Sequence, residues 1–326
     1  MDEKIIQEKK TFFAELVDCL KRKLGKNVMV DFREIIKAND RKIPTISIMR
    51  KEKNAVGRSY HADELYEYFR KGMPLDEIAD NLIKLSENEA EIQLDRKILT
   101  DILMYYHYMR EGSITIRLLN FADNQEYLKN ICHIPYLDLA IAFYAVVSKE
   151  EETLATMPIT NEIFNSWDVT KEQLLSDTLE AMQTTFPVHI ASLHDMVEEI
   201  LEEKKKDAFA KMMNPPEFSL DEIPDAENAL MVTNESKING AAVMLYPGLL
   251  KKVAEIFGTT EINILPSSIH ELILVPDADT VSRKDILDMV QEVNRTCVSE
   301  DEKLSDNLYV YNAETDTVSI WDGEED

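Results

Sequence analysis

Glycine is scarce. The chain has eight in 326 residues, and no two lie closer than Gly240 and Gly248. Phosphate-cradling loops of the P-loop and dinucleotide-binding kinds need glycines within about six residues of one another, so neither motif is present. Cysteine is scarcer still: Cys19, Cys132 and Cys297 are far apart and odd in number. That excludes a disulfide framework and a paired CxxC zinc site, and points to a reducing compartment. No apolar stretch approaches the roughly 18 residues that span a bilayer, and the charge-dense run Met1–Lys10 is unlike a secretory signal. A cytoplasmic location is expected. Histidine offers no metal motif either. HExxH is absent, and His189 and His194 are five residues apart, a spacing that on a helix turns them about 140° away from each other. No metal and no cofactor are expected.

What the chain does have is carboxylate. Its 62 Asp+Glu against 36 Lys+Arg leave a formal net charge of -26, which disfavours nonspecific binding to nucleic acid or anionic membrane by the protein as a whole. The charge is unevenly spread. Residues 1–60 hold 15 basic against 9 acidic side chains, a net of +6, and the rest hold 21 against 53, a net of -32. With 44% apolar and 30% charged residues, most of the chain has the composition of a folded protein, and its length suggests two domains.

Apolar residues recur at three- and four-residue steps from Ile5 through Phe12, Phe13, Leu16, Val17, Leu20 and Leu24, predicting a helix closed by Gly25. Alternation at Val28, Val30 and Phe32, and again at Ile46 and Ile48, predicts a small sheet, with Lys53–Gly57 leading to a return strand near Tyr60. Helices follow over Asp63–Lys71 and after Pro74, the second with an apolar stripe of Leu75, Ile78, Ala79, Leu82 and Leu85. The charged stretch Glu87–Asp95 marks a boundary, so a basic module over residues 1–90 precedes an acidic body over 91–326. In the body, a helix over Ile98–Met109 is expected, then a strand at Ile114, Ile116 and Leu118. Tyr136–Val147 and Thr153–Ile159 form a central hairpin. Helices should dominate from Thr160 to Met213, one of them starting near Val169 behind a capping box of Thr170 and Gln173. Residues 214–228, with three prolines, read as a mobile loop. Beyond it, Leu230–Val232 and Ala242–Leu245 read as strands joined through an Asn239–Gly240 turn, followed by a helix between Pro247 and Gly258. Strands at Ile262–Leu265, Ile269–Val275, Leu308–Tyr311 and Val318–Trp321, with a helix over Lys284–Thr296, complete the chain. Hairpin links outnumber crossovers, so the fold class is α+β with antiparallel pairing: a small helix/sheet module plus a larger helix-rich body with a sheet.

Four segments, Tyr66–Leu82, His133–Phe143, Asn234–Leu250 and Ile264–Pro276, resemble a domain-of-unknown-function family widespread in gut-dwelling Gram-positive bacteria. The Asn-Gly turn, the Tyr246–Pro247–Gly248 step and the Pro-Ser-Ser-Ile-His-Glu run carry the likeness in order and spacing. The resemblance implies an intracellular bacterial protein, and brings with it no activity, cofactor or substrate.

Ser267, Ser268, His270 and Glu271 bring together the residue types of nucleophile, base and orienting carboxylate. On a strand, however, Ser268 and His270 sit about 6.6 Å apart along one face while Glu271 points to the other, and no GxSxG elbow is present. The alternative is a turn entering a buried strand, its polar groups satisfied by nearby backbone. A second candidate is the basic group Lys21, Arg22, Lys23 and Lys26 at a helix end with Arg50, Lys51 and Lys53 in the hairpin. It could hold a phosphate backbone or an acidic partner, or serve only the helix dipole and solvation. The third is the set of acidic clusters Glu150–Glu152, Glu198–Glu203, Asp221–Glu227, Glu300–Glu302 and Glu324–Asp326, a solubilising surface or a mimic of nucleic acid aimed at a basic protein. The favoured reading is a non-enzymatic binding protein with a protein partner, ahead of a hydrolase using His270 with Ser267 or Ser268, or with a carboxylate supplied from elsewhere in the fold. Nucleic-acid binding is disfavoured except through the basic module.

Overall fold

The structure, a computed structural model, describes residues 3–50, 58–88, 113–150, 153–192, 229–266, 268–277 and 281–323. It divides into two compact units, Met1–Asp101 and Ile102–Asp326. The expected hairpin stretch Lys53–Gly57, the helix Ile98–Met109 and the loop 214–228 lie outside the described residues.

In the first unit the predicted apolar stripe forms α1 (Glu3–Leu24). Gly25 ends it at φ +72°, a left-handed position that glycine takes without a Cβ penalty. Strands β1 (Val28–Ile36), β2 (Lys42–Arg50) and β3 (Arg58–His61) form an antiparallel sheet in chain order. Its register pairs Val30 with Ile48, and Phe32 with Ile46, which faces Tyr60, so the predicted alternation puts one apolar face together. Helices α1, α2 (Ala62–Arg70) and α3 (Leu75–Asn88) supply the other half of the core. Leu16 and Leu20 are fully buried there, each contributing about 1.5–3 kcal/mol. Leu85, placed in the apolar stripe of α3 by its spacing, is instead 46% exposed. It lies beyond the end of the stretch that packs on α1.

The second unit is built on two antiparallel sheets. One has β6 (Leu139–Glu150) at its centre, β4 (Ile114–Asn120) on one side, and β5 (His133–Tyr136) and β7 (Thr153–Pro158) in tandem on the other. The β6–β7 pair is the predicted central hairpin. The other sheet has six strands: β8 (Val188–Ser192), β9 (Leu230–Asn234), β10 (Glu261–Leu265), β11 (Leu272–Pro276), β12 (Tyr309–Asn312) and β13 (Thr317–Ile320), in the order β13-β12-β10-β11-β9-β8. A short helix α4 (Gln125–Leu128) follows β4, and α5 (Asn161–Asn165) and α6 (Lys171–Thr185) follow β7. Thr170 caps α6 by accepting from the Gln173 N–H at 3.2 Å, as its spacing predicts. Gln173 does not close the box, because its amide donates to Asp177 at 2.6 Å. Helix α7 (Leu249–Phe257) lies between β9 and β10 in sequence, and α8 (Arg283–Thr296) between β11 and β12. α8 buries Ile286 and Val290 against Leu265 and Leu308.

Three expectations are corrected here. Val188–Ser192 is the edge strand β8 rather than helix: Pro187 stops α6, and pairing of Ile190 with Val232 decides the outcome. Ala242–Leu245 is not a strand, because Gly240–Leu245 winds as a 3-10 helix with Gly240 through Met244 all buried. It touches β4 of one sheet and β9 and β11 of the other, and β9 and β11 are already paired on both sides. β11 begins at Leu272, not Ile269.

One end of the six-stranded sheet is tied by Arg283. Its Nη2 lies 2.5 Å from Glu261 Oε2 and 3.2 Å from Asp277 Oδ2, and its Nε donates to Asn263 Oδ1 at 3.1 Å. The bond from Arg283, then that from Asn312, holds the Glu261 carboxyl below its ordinary value of 4.5. A depressed carboxylate contributes stability that is complete above the unfolded value and is lost as pH falls through the folded one. Thermal unfolding of the native protein should therefore lose more Tm below about pH 4.5 than that of Glu261→Gln. Equal acid sensitivity of the two would show that this network carries no linkage.

Candidate functional site

Between β10 and β11 the chain makes a bend held by the turn around Glu302. Ile269 N–H donates to the Glu302 carbonyl at 2.8 Å, Ser305 N–H donates to the Pro266 carbonyl at 2.9 Å, and Ser268 forms an isolated antiparallel bridge with Lys303. The strand geometry expected for Ser268 and His270 does not hold, since neither belongs to β11. Ser268 is 6% exposed and its Oγ accepts from the His270 backbone N–H at 2.9 Å. Ser267 lies outside the described residues. Glu271 is half-buried and its carboxylate makes no ion pair among the described residues.

His270 is instead joined to residues remote in sequence. Its Nδ1 accepts from the Asn239 backbone N–H at 3.2 Å, which requires that nitrogen to be unprotonated and puts the ring proton on Nε2. Nε2 lies 3.7 Å from Glu302 Oε1. A serine relay needs the lone-pair nitrogen turned to the hydroxyl and the N–H turned to the carboxylate. Here the lone pair is already occupied by a backbone N–H. Thr233 Oγ1 closes the cluster by donating to the His270 carbonyl at 2.7 Å. Chemically, the group joins β9, the 3-10 segment, the bend before β11 and the Glu302 turn.

The basic candidates separate. Lys21, Arg22 and Lys26 are exposed. Lys23 bridges to α3, 2.6 Å from Asp80 Oδ1 and 3.4 Å from Asp76 Oδ1. The Asp80 bond raises its pKa, and the Asp76 carboxyl is lowered first by the Cys19 thiol and then by Lys23. The side chain of Arg50, and Lys51 and Lys53, lie outside the described residues. Of the acidic clusters, Glu300–Glu302 is described in full and exposed. Among the described residues no three His, Cys, Asp or Glu gather as a metal site, and His189 lies on strand β8 rather than on a helix.

Glu302 was visible only as part of an acidic cluster and Asn239 only as part of a turn, and both meet His270 only through the fold. Sequence reasoning passed over Arg117. Arg117 did give a signal: it is the one charged side chain in the strand ITIRLLN.

These features define an α+β protein of antiparallel sheets in which no helix among the described residues is long and apolar enough to cross a membrane. The sequence profile of a family of unknown function, DUF5688, matches residues 9–313, and the chain belongs to that family. All four segments that suggested a family of unknown function fall inside this match. No curated protein and no solved structure matches the chain.

Proposed function

We propose that this is a cytoplasmic, non-enzymatic binding protein whose acidic body, residues 91–326, engages a protein partner of basic surface. The observation that carries the reading is the division of charge, net +6 over residues 1–60 and net -32 over the rest. Complementary fields of this size steer association and suppress wrong partners. The arrangement around His270 supports it too, because the Ser268 hydroxyl and the His270 ring both accept backbone N–H groups that hold the bend. The basic module, residues 1–90, keeps Lys21, Arg22 and Lys26 exposed for a second contact.

The test is capture of the tagged full-length protein from its native cytoplasm at low and moderate salt, repeated with the double variant Glu300→Gln, Asp301→Asn. A stoichiometric partner that is lost as salt rises, and weakened in the variant, is the expected result. Competition of that partner by duplex DNA would identify nucleic-acid mimicry as the mode. Absence of any stoichiometric partner at low salt would overturn the proposal.

A further inference from the structure

Arg117 stands out in a chain with 62 carboxylates because it pairs with none of those among the described residues. It lies on β4, opposite Ala142 of β6, which in turn faces His133 of β5. Directly paired residues share a sheet face, so Arg117 and His133 stand on the same face with the small Ala142 between them. Tyr144, two residues along β6 on that face, lies under the guanidinium with its ring centroid 4.6 Å from Arg117 Cζ. Tyr144 is buried and its hydroxyl is 2.9 Å from that of Tyr127 on α4, so the ring is fixed in place.

The stacking occupies the face of the guanidinium and leaves its edge, which carries five N–H donors, without an acceptor. Arg117 forms no ion pair and no hydrogen bond with any described residue. Its Nε is sealed from solvent with no partner, whereas the two Nη nitrogens are not sealed, and the residue as a whole is half-buried. Two of the acidic groups that follow Arg117 in sequence are engaged elsewhere. Asp138 accepts from Ser305 and Asn307, and Glu126 pairs with Lys129. A partly desolvated cation with no counter-ion among the described residues is unfavourable in the free protein and attracts an anion strongly, since water no longer competes at its base.

Two further observations lie beside it. His133 Nδ1 is 2.8 Å from the Ile131 carbonyl. A carbonyl only accepts, so Nδ1 carries the proton and Nε2 is left with the lone pair in the neutral ring. On α6, Thr178 is 3% exposed and its hydroxyl has no partner. It is one turn before Met182, whose Sδ receives the Thr115 hydroxyl at 3.9 Å on the same strand as Arg117.

We propose that Arg117 is the anchor of a binding site for a small molecule bearing a compact oxyanion group, carboxylate or phosphate, held end-on by its two Nη nitrogens. Tyr144 positions the guanidinium, and His133 Nε2 accepts a hydrogen bond from a hydroxyl or amine of the same ligand. The site is independent of the charge-driven protein contact above, because it needs neither the acidic clusters nor the basic module.

The experiment titrates the full-length protein with sodium phosphate and, separately, sodium acetate at constant ionic strength. Two readouts are followed: Tm, and the Arg117 side-chain N–H resonances. The expected result is saturable movement of those resonances by at least one of the two anions, with a Tm rise of about 3 °C or more at ten times the dissociation constant. Which anion saturates separates a phosphate ligand from a carboxylate one. Arg117→Met should abolish the Tm response without lowering the ligand-free Tm, because it removes a charge that no described carboxylate balances. Arg117→Lys, keeping the charge but not the fork, should weaken the response about tenfold or more. No saturable response from either anion in the native protein, or an unchanged response in Arg117→Met, would overturn the proposal. So would a sharp loss of ligand-free Tm in both variants, since that would make Arg117 a structural residue.

Discussion

Gly240→Ala should destabilise the protein by about 4 kcal/mol or more in urea denaturation, at the upper end of what a single substitution does. An added Cβ would fall 2.0 Å from Thr233 Oγ1, 2.4 Å from the His270 carbonyl oxygen and 2.8 Å from the Asn234 backbone nitrogen. Overpacking of flexible neighbours costs about 1–3 kcal/mol. Two of these three neighbours are backbone atoms, one in β9 and one beside β11, and β9 and β11 are themselves paired. They cannot give way without breaking the ladder. Asn239 sits at φ +52° and brings the chain inward at this point, so the methyl has no alternative direction. Gly258 makes a useful contrast. Its φ is +70° but an added Cβ would meet nothing within 4 Å, so Gly258→Ala should cost only about 1–2 kcal/mol of backbone strain. Combining Gly240→Ala with Thr233→Ala removes one contact and leaves the two backbone ones, and should recover only a minor part of the loss. A Gly240→Ala cost below about 1 kcal/mol would mean that the 3-10 segment can slide past β9.

The Asn239–Gly240 pair shows what short-range pattern can and cannot reveal. As a dipeptide it reads as a tight turn between strands, and the positive φ at Asn239 agrees. The glycine, however, is there for close approach rather than for a left-handed conformation, and only the packing of Thr233 and Asn234 of β9 and of the His270 carbonyl from the bend before β11 shows this. The apolar run Ala242–Leu245 is too short for periodicity to separate a strand from a buried helical turn. Long elements were legible for the opposite reason. α1, α7 and α8 repeat their apolar spacing over several turns and end at Gly25, Gly258 and Cys297, and in the sheet of the first unit the pairing of Val30 with Ile48 and of Phe32 with Ile46 follows the alternation of apolar residues along β1 and β2. Val188–Ser192 has five residues and no such redundancy. Its conformation is set by β9, far along the chain.

The candidate site was legible as residue types and not as an arrangement. Ser268, His270 and Glu271 are neighbours in sequence, yet the ring of His270 is bound by Asn239, 31 residues before it, and by Glu302 beyond the next helix. No local spacing encodes either contact. Arg117 is the converse case. A charged residue in the middle of an otherwise apolar strand is visible in the sequence, but whether it is balanced depends on which carboxylates the fold brings near, and among the described residues none pairs with it.

Asp138→Ala should cost about 3 kcal/mol, because one carboxylate holds together two sheets of the second unit. Asp138 follows Leu137, at φ +54°, in the turn between β5 and β6. Its Oδ2 accepts from Ser305 Oγ at 2.7 Å and from Asn307 Nδ2 at 3.0 Å, and its Oδ1 accepts from the Tyr309 hydroxyl. Tyr309 belongs to β12 of the six-stranded sheet and is fully buried. Burial first, and then the bond to Asp138, push its hydroxyl pKa up, so it is a donor at neutral pH. A hydrogen bond to a charged group contributes about 1.5–3 kcal/mol, and a buried donor left without a partner loses its full desolvation energy. Removing the carboxylate strands Tyr309 in that way and releases Ser305 and Asn307, whereas Tyr309→Phe leaves Asp138 two donors and its access to water. The second substitution should therefore cost less, about 1–1.5 kcal/mol. Asp138→Asn should fall between them, since its amide nitrogen faces donors. Because the two residues act through one bond, the double variant should be less destabilised than the sum of the singles by about 1 kcal/mol. Strict additivity in that cycle would mean that the sheets are joined by apolar packing alone and that Asp138 serves only its own turn.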